Sequence, residues 1–203
     1  MDKPKPTIRE ALIAAGEIVL VLRCVHADMT SRNGFRWPEL GEVSAPDWAP
    51  TKECGQGLHG WLWGAGNLAG TCDYWSGETT RWLVVEVPRA DLVDLDGKVK
   101  YPRGVVVFCG PRDEAVSLIV QHAPAGTPIM FGTATAGDRG TATAGDGGTA
   151  TAGDRGTVSI LYYDAKRDRY RKAIAEIDAE GDYKPGVTYH VVDGRIAAKD
   201  VAK

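Results

Sequence analysis

An eight-residue unit, T-A-T-A-G-D-x-G, recurs three times from Thr133 to Gly156, as TATAGDRG, TATAGDGG and TATAGDRG. Threonine's branched Cβ suits a pleated strand and Gly-Asp suits a tight corner, so each unit reads as a short strand followed by a turn. A flexible Gly/Ser linker has no reason to keep strict Thr/Ala alternation. A fixed short period with near-identical rungs predicts a β-solenoid-like ladder over residues 126–157. Alternation puts Ala134, Ala136, Ala142, Ala144, Ala150 and Ala152 on an inner face. It puts Thr133, Thr135, Thr141, Thr143, Thr149 and Thr151 on a repeat surface, where hydroxyls of successive rungs satisfy one another. Asp138, Asp146 and Asp154 then align at the corners and cap turn amides, which needs no ion. The Asp-x-Gly order departs from the repeat of calcium-binding β-rolls. A T-x-T array is similar to ice-binding solenoids, but three short rungs make a small face. The unit is therefore read as a rigid spacer or assembly ladder.

The rest of the chain is ordinary globular sequence. With 203 residues, 43% of them hydrophobic, it is long enough for one domain with a real core. A formal net charge of −3 gives no general attraction to nucleic acid or to a membrane surface. The apolar run at 17–25 is interrupted by Arg23 and is too short to cross a bilayer. The start, MDKPKPTIRE, lacks the pattern of a secretory leader, so a cytoplasmic protein is expected. Cys24, Cys54, Cys72 and Cys109 are irregularly spaced without a C-x-x-C, and are expected as free thiols. All six tryptophans lie between Trp37 and Trp82, which places the main core in the N-terminal half.

Local patterns predict a helix from Thr7 to about Ala15 behind a capping box, and a buried strand at 17–25. Short strands and loops are expected over 27–53, and a turn followed by a helix over 57–75. Strands follow at 81–87 and 104–109. Pro111, with Asp113 and Glu114 behind it, opens a helix to about Gln121. A strand is expected at 157–163, and residues 173–180 fit helix or strand. AKRDRYRK reads as a solvated turn rather than a phosphate-binding patch. Residues 187–198 form a hairpin around Asp193-Gly194. The predicted fold class is α+β: a mixed globular body (1–125), the repeat insert (126–157), and a β-rich C-terminal segment (158–203) packing on the body and ending in a β-hairpin.

Three segments carry a resemblance to a family. KECGQGLHG (52–60) matches a C-x-x-G-F-H segment at Cys54, Gly57 and His59. RNGFRWPELGE (32–42) resembles R-G-F-Q-Y-x-x-G, and YKPGVTYHVVDGR (183–195) resembles a terminal K-P-x-T-x-Y-x-L-x-D-G. Together with the Ala/Thr-rich Gly-Asp repeats, these resemble an uncharacterised phage and prophage family with a globular N-terminal part, a repeat array and a short β-rich end. Two cysteines of that family are replaced here by Ser31 and Trp61. The resemblance implies a phage protein in the cytoplasm of an infected host, with no activity attached.

Two constellations are candidates for chemistry. Cys24, His26, Cys54, His59 and Cys72 have the residue types of a zinc site, but the Cys24-x-His26 spacing is tighter than the common pattern, so no metal is expected. GQGLHGWLWGAGNLAGTCDYW (55–75) resembles the segment that frames nicotinamide in ADP-ribosyltransferases, with Arg23 where those enzymes hold NAD. The weak catalytic candidates are Arg23, His59 and Glu86; the candidate ligand-binding residues are Arg23, His26, His59, Trp61 and Tyr74. A transferase needs a fixed carboxylate to stabilise its transition state, and none is evident. The expectation is a phage-associated accessory protein, leaning away from an enzyme. It would bind a host or phage protein or a small ligand, without a cofactor, as a homo-oligomer, with the repeat as a structural element. The alternatives are an ADP-ribosyltransferase-like enzyme or degenerate nucleotide binder, with NAD, and a virion structural protein. Nucleic-acid binding is not expected.

Overall fold

In the computed structural model, residues 8–66 and 80–199 are described. The chain divides into two compact units, Met1–Ala123 and Pro124–Lys203.

The first unit is a sheet with helices added. After α1 (Ile8–Ala14) come β1 (Ile18–Val25), β2 (Gly41–Ser44), β3 (Leu58–Leu62), β4 (Arg81–Pro88), β5 (Val93–Asp94), β6 (Val99–Tyr101) and β7 (Arg103–Gly110). They form one seven-stranded sheet, in the order β2-β7-β4-β1-β3-β6-β5. Every neighbouring pair is antiparallel. The β-branched run of β1 explains its central place: it is apolar on both faces, and Val19, Leu20, Val21, Leu22, Cys24 and Val25 are all buried. It pairs along its whole length with β4, from Ile18↔Pro88 to Val25↔Arg81. Helix α2 (Arg112–His122) follows Pro111, carries Asp113 and Glu114 in its first turn, and buries Ala115, Val116 and Ile119. It lies against β4, β1 and β7.

The turn and helix expected over 57–75 are replaced, where the chain is described, by strand β3; residues 67–79 lie outside the described residues. A Cβ at Gly60 would stand 2.4 Å from Val21 Cγ1 and 2.7 Å from the Leu22 carbonyl oxygen. The missing side chain at Gly60 allows close approach of β3 to β1.

The second unit holds β8 (Thr133–Ala136), β9 (Thr141–Ala144), β10 (Thr149–Ala152), β11 (Thr157–Asp164), β12 (Arg169–Glu176), β13 (Thr188–Val192) and β14 (Arg195–Ala198). They form two sheets, ordered β14-β13-β10-β8 and β12-β11-β9. β8 runs parallel to β10 with Thr133 opposite Thr149, and β9 runs parallel to β11 with Thr141 opposite Thr157. Partners along the ladder are therefore 16 residues apart, as in the Thr133–Thr149 hydroxyl contact. Consecutive octapeptides alternate between the two sheets instead of stacking on each other. Ala142, Ala144, Ala150 and Ala152 are buried, in a cluster with Val158, Ile160, Ala173, Ala175, Ile177, Tyr189 and Ile196.

These observations correct the expected fold class. Over the described residues the protein is predominantly β, with three sheets, and not an α+β body carrying a solenoid insert. The repeat is built into two sheets that antiparallel strands of the C-terminal segment complete: β12 on one, β13 and β14 on the other. The reason is the thinness of an alanine interior, which on its own removes little apolar surface from water. Residues 169–172, read from sequence as solvated turn, belong to β12, which buries Ala173 and Ala175 and leaves its basic residues exposed.

The corners share one geometry. The third residue of each G-D-x-G adopts positive φ: 58° at Arg139, 68° at Gly147 and 56° at Arg155. Glycine occupies this place once because a Cβ at Gly147 would stand 2.7 Å from two ring carbons of Phe131. Phe131 itself has φ 58°. Its N–H donates to the Asp146 carbonyl at 2.9 Å, as Arg139 N–H donates to that of Asp154 at 2.9 Å. Residues 129–132 (IMFG) thus make a further corner that no likeness of sequence reveals. Carboxylates join the layers: Asp138 Oδ1 accepts from Asp154 N–H at 3.0 Å, and Asp154 Oδ1 from Ala179 N–H at 3.4 Å.

Ala150→Leu adds three carbons to this interior, and the expected loss is about 1–3 kcal/mol in urea unfolding. Thr135→Val, at an exposed position, is expected to stay within about 0.5 kcal/mol. Equal stability of the two variants would refute the packed alanine interior.

Candidate functional site

A cavity of about 510 Å³ in the first unit brings together Arg23 of β1, His59 and Trp61 of β3, and Lys98 before β6. The loops holding Arg32, Trp37 and Cys54 complete its wall. Trp61 is buried and stacks on Trp82, with ring centroids 6.2 Å apart, so it is a core side chain that also forms cavity wall. The Arg23 guanidinium lies 5.7 Å from the centre of the Trp37 ring. Trp37 is held in turn by its Nε1–H, which donates to Ser31 Oγ at 3.1 Å, and by edge contact with Phe35.

Lys100, fully buried in β6, shapes the loop side. Its Nζ donates to Thr51 Oγ1 (3.1 Å), the Glu53 carbonyl (2.8 Å) and the Gly55 carbonyl (3.3 Å). Three acceptors match the three donors of an ammonium group, and the loop at 51–55 is fixed as a result. Lys98, two residues earlier, donates from Nζ to Cys54 Sγ at 3.1 Å. Gly55 N–H donates to His59 Nε2 at 3.4 Å.

The electrostatics follow from these positions. Burial, then the charges of Lys98, Arg23 and Lys100, push His59 down from 6.5 to about 4. At neutral pH it is an uncharged imidazole in a cationic setting. The hydrogen bond from Lys98 is the largest cause holding the Cys54 thiol below its ordinary 9.0. Asp47 is the carboxylate among the lining residues, against Arg23, Arg32 and Lys98.

Four of the sequence candidates meet here: Arg23, Cys54, His59 and Trp61. The others do not. His26 is exposed in the turn after β1, where its N–H bonds the Thr30 carbonyl. Glu86 is buried in β4 opposite Leu20 and Val105, and does not line the cavity. Tyr74 and Cys72 lie outside the described residues. Among the described residues, no group of three His, Cys, Asp or Glu could hold a metal ion. Lys98, Lys100, Trp37 and Arg32 were missed by sequence reasoning. The signal was the alternation Lys98-Val99-Lys100, which sets two lysines on one face of a short strand.

The repeat threonines do not share one surface. Thr133, Thr135, Thr149 and Thr151 lie on the four-stranded sheet, with Thr141 and Thr143 on the three-stranded one. Thr149 is buried, and its hydroxyl meets that of Thr133 at 3.1 Å; Thr151 and Thr188 meet at 2.9 Å. Of the basic cluster at 166–172, Arg167 and Arg171 pair with Asp164 at 2.9 and 3.3 Å. Among the described residues no helix is long and apolar enough to cross a membrane.

A family model described as "Domain of unknown function (DUF7666)" matches residues 19–113, which include every cavity residue named above. Several curated bacterial proteins are similar over about half of the chain. The ice nucleation protein of Pseudomonas fluorescens is 40% identical over 105 residues, 51% of this chain and 8% of that protein. That of Xanthomonas campestris pv. translucens is 34% identical over 113 residues, 53% and 7% respectively. Ice nucleation protein InaU of Pantoea ananas is 29% identical over 134 residues, 60% and 13%. The chain thus spans 7–13% of the length of these relatives. No solved structure is similar to it. These findings overturn the resemblance to a phage and prophage family, and the description as a phage or viral protein falls with it. The expected cytoplasmic location, inside an infected host, is overturned by the same relatives.

His59 is expected to titrate at about 4 by NMR, and Lys98→Met to raise that midpoint, because a neighbouring positive charge is removed. The unfolded chain takes up this proton at the higher pH of the two states. Stability from His59 is therefore complete above about pH 6.5 and is lost as pH falls toward about 4. Urea unfolding across pH 4–8 checks the direction.

Proposed function

We propose that the chain acts by binding, with the cavity of the first unit holding a small anionic ligand. The convergence of Arg23, Arg32 and Lys98 on one cavity, with Asp47 as the opposing carboxylate, carries this reading. The aromatic faces of Trp37 and Trp61 suit a ligand with a flat or apolar portion beside its anionic group. The transferase alternative, with NAD, finds no support in Glu86, which lies away from Arg23 and His59. The repeat serves as a structural and assembly element: β8 and β9 each end their sheet, offering main-chain groups to a second copy.

Titration with pyrophosphate as an anionic probe tests the cavity. The expected result is calorimetric binding that weakens with salt, a rise in the His59 midpoint, and at least about tenfold weaker binding in Arg23→Gln. No binding, or binding that leaves His59 unchanged, would remove the reading.

A second reading concerns ice. The relatives are named ice nucleation proteins, and Thr135, Thr151 and Thr188 stand opposite one another across three strands of one sheet, with the exposed Thr133 two residues before Thr135. The rungs of that sheet repeat at about 4.8 Å between strands and about 7 Å along them. Droplet-freezing assays decide it. Activity should appear with the intact chain and vanish in Thr135→Lys; freezing no different from buffer would end this reading.

A further inference from the structure

The mouth of the cavity holds a thiol inside a cluster of cations, an arrangement that ligand binding alone does not use. Cys54 is exposed, Lys98 Nζ donates to its Sγ at 3.1 Å, and the Gly55 N–H beside it is engaged by His59. Loop and strand are held at this distance by the buried Lys100, whose ammonium binds the carbonyls of Glu53 and Gly55 on either side of Cys54. The other described thiols are placed differently. Cys24 is buried in β1, and the Cys109 thiol is raised by burial and then by Glu39. Reactivity of a thiol rests on its thiolate fraction and on access, and Cys54 alone among these three has both.

We propose that Cys54 is a modification site, reacting with anionic disulfides drawn into the cationic cavity. The thiolate of Cys54 attacks one sulfur of the disulfide; a new Sγ–S bond forms, the original S–S bond breaks, and the displaced sulfur leaves as a thiolate with the bonding pair. Lys98 supports the attacking thiolate, and Arg23 and Arg32 attract the charged groups of the reagent. A thiol reductant reverses the step. The inference rests on the cavity proposed above, but its thiol chemistry stands apart from equilibrium binding.

The full chain is treated at pH 7 with 5,5′-dithiobis(2-nitrobenzoate), a doubly anionic disulfide, and with the uncharged 4,4′-dithiodipyridine. Modified cysteines are located by peptide mapping, with rates scaled to those of N-acetylcysteine. Cys54 is expected to react at least about tenfold faster than Cys24 and Cys109, and faster with the anionic reagent. Lys98→Met should slow Cys54 at pH 7 and restore its rate at higher pH; Lys98→Arg should retain it. Should Lys98→Met fail to fold, Arg32→Gln supplies the variant, with a smaller slowing of the anionic reagent only. Cys54 no faster than Cys109, or a rate unmoved by Lys98→Met, would overturn the proposal. Equal preference for both reagents would keep an activated Cys54 but overturn the anionic selectivity, whatever pyrophosphate does.

Discussion

The ammonium group of Lys100 is out of contact with water, and a buried charge is tolerated only when its donors are met. Thr51, Glu53 and Gly55 meet them from a loop that has no regular secondary structure. The loop is therefore fixed by a charge-assisted network instead of by its own ladder. Two consequences follow in the same few residues. Cys54 is carried to within reach of Lys98, and Gly55 is set against His59. The Trp48 ring lies 5.9 Å from the same ammonium and covers it from the loop side. The cavity wall is thus a product of desolvating one cation.

A different constraint organises the second unit. A strand of four residues, Thr-Ala-Thr-Ala, has too little apolar surface to hold a partner by burial alone. Pairing at a distance of 16 residues gives each such strand a parallel neighbour in its own sheet and faces its alanines toward the other sheet. Larger side chains from beyond the repeat then finish the interior, Val158 and Ile160 from β11 and Tyr189 and Ile196 from the hairpin. The aspartates tie one layer to the next through main-chain amides, so the corner sequence is as much a vertical connector as a turn. Phe131 shows the principle from the other side. It takes the left-handed corner position without a preceding Gly-Asp, because its N–H meets the Asp146 carbonyl and its ring covers Gly147.

Local pattern made some of this legible. The continuous β-branched run of β1, the Pro111 start of α2 and the Asp193-Gly194 hairpin are short-range signals, and they stand where the residues put them. The inward alanines of the repeat were legible for the same reason. What failed was non-local. An eight-residue period says nothing about which strands pair, so the 16-residue ladder and its two sheets were hidden. The small residues over 57–75 suggested a helix, whereas the meaning of Gly60 lay in contact with Val21 and Leu22, far away in sequence. In the cavity, Arg23 and His59 could be named from their chemistry. For Lys98 and Lys100 the alternation marked a shared face but not their partners, which lie more than 40 positions away. The phage resemblance rested on short, loose motifs beside the repeat, and the bacterial relatives overturn it.

The formal charge of −3 hides the property that matters most at the cavity. Average charge describes long-range attraction, whereas a cavity with low-dielectric walls responds to its own few groups. There one cation, Lys98, acts in opposite senses on two neighbours. It opposes protonation of His59, a base whose charged form is positive, and favours ionisation of Cys54, an acid whose charged form is negative. Both effects move the site toward one state at neutral pH, an uncharged imidazole beside a thiol primed to lose its proton. An arriving anion would reverse both, raising His59 and raising Cys54 together. Occupancy of the cavity and reactivity of its thiol are therefore linked through a common field, with no change of shape required.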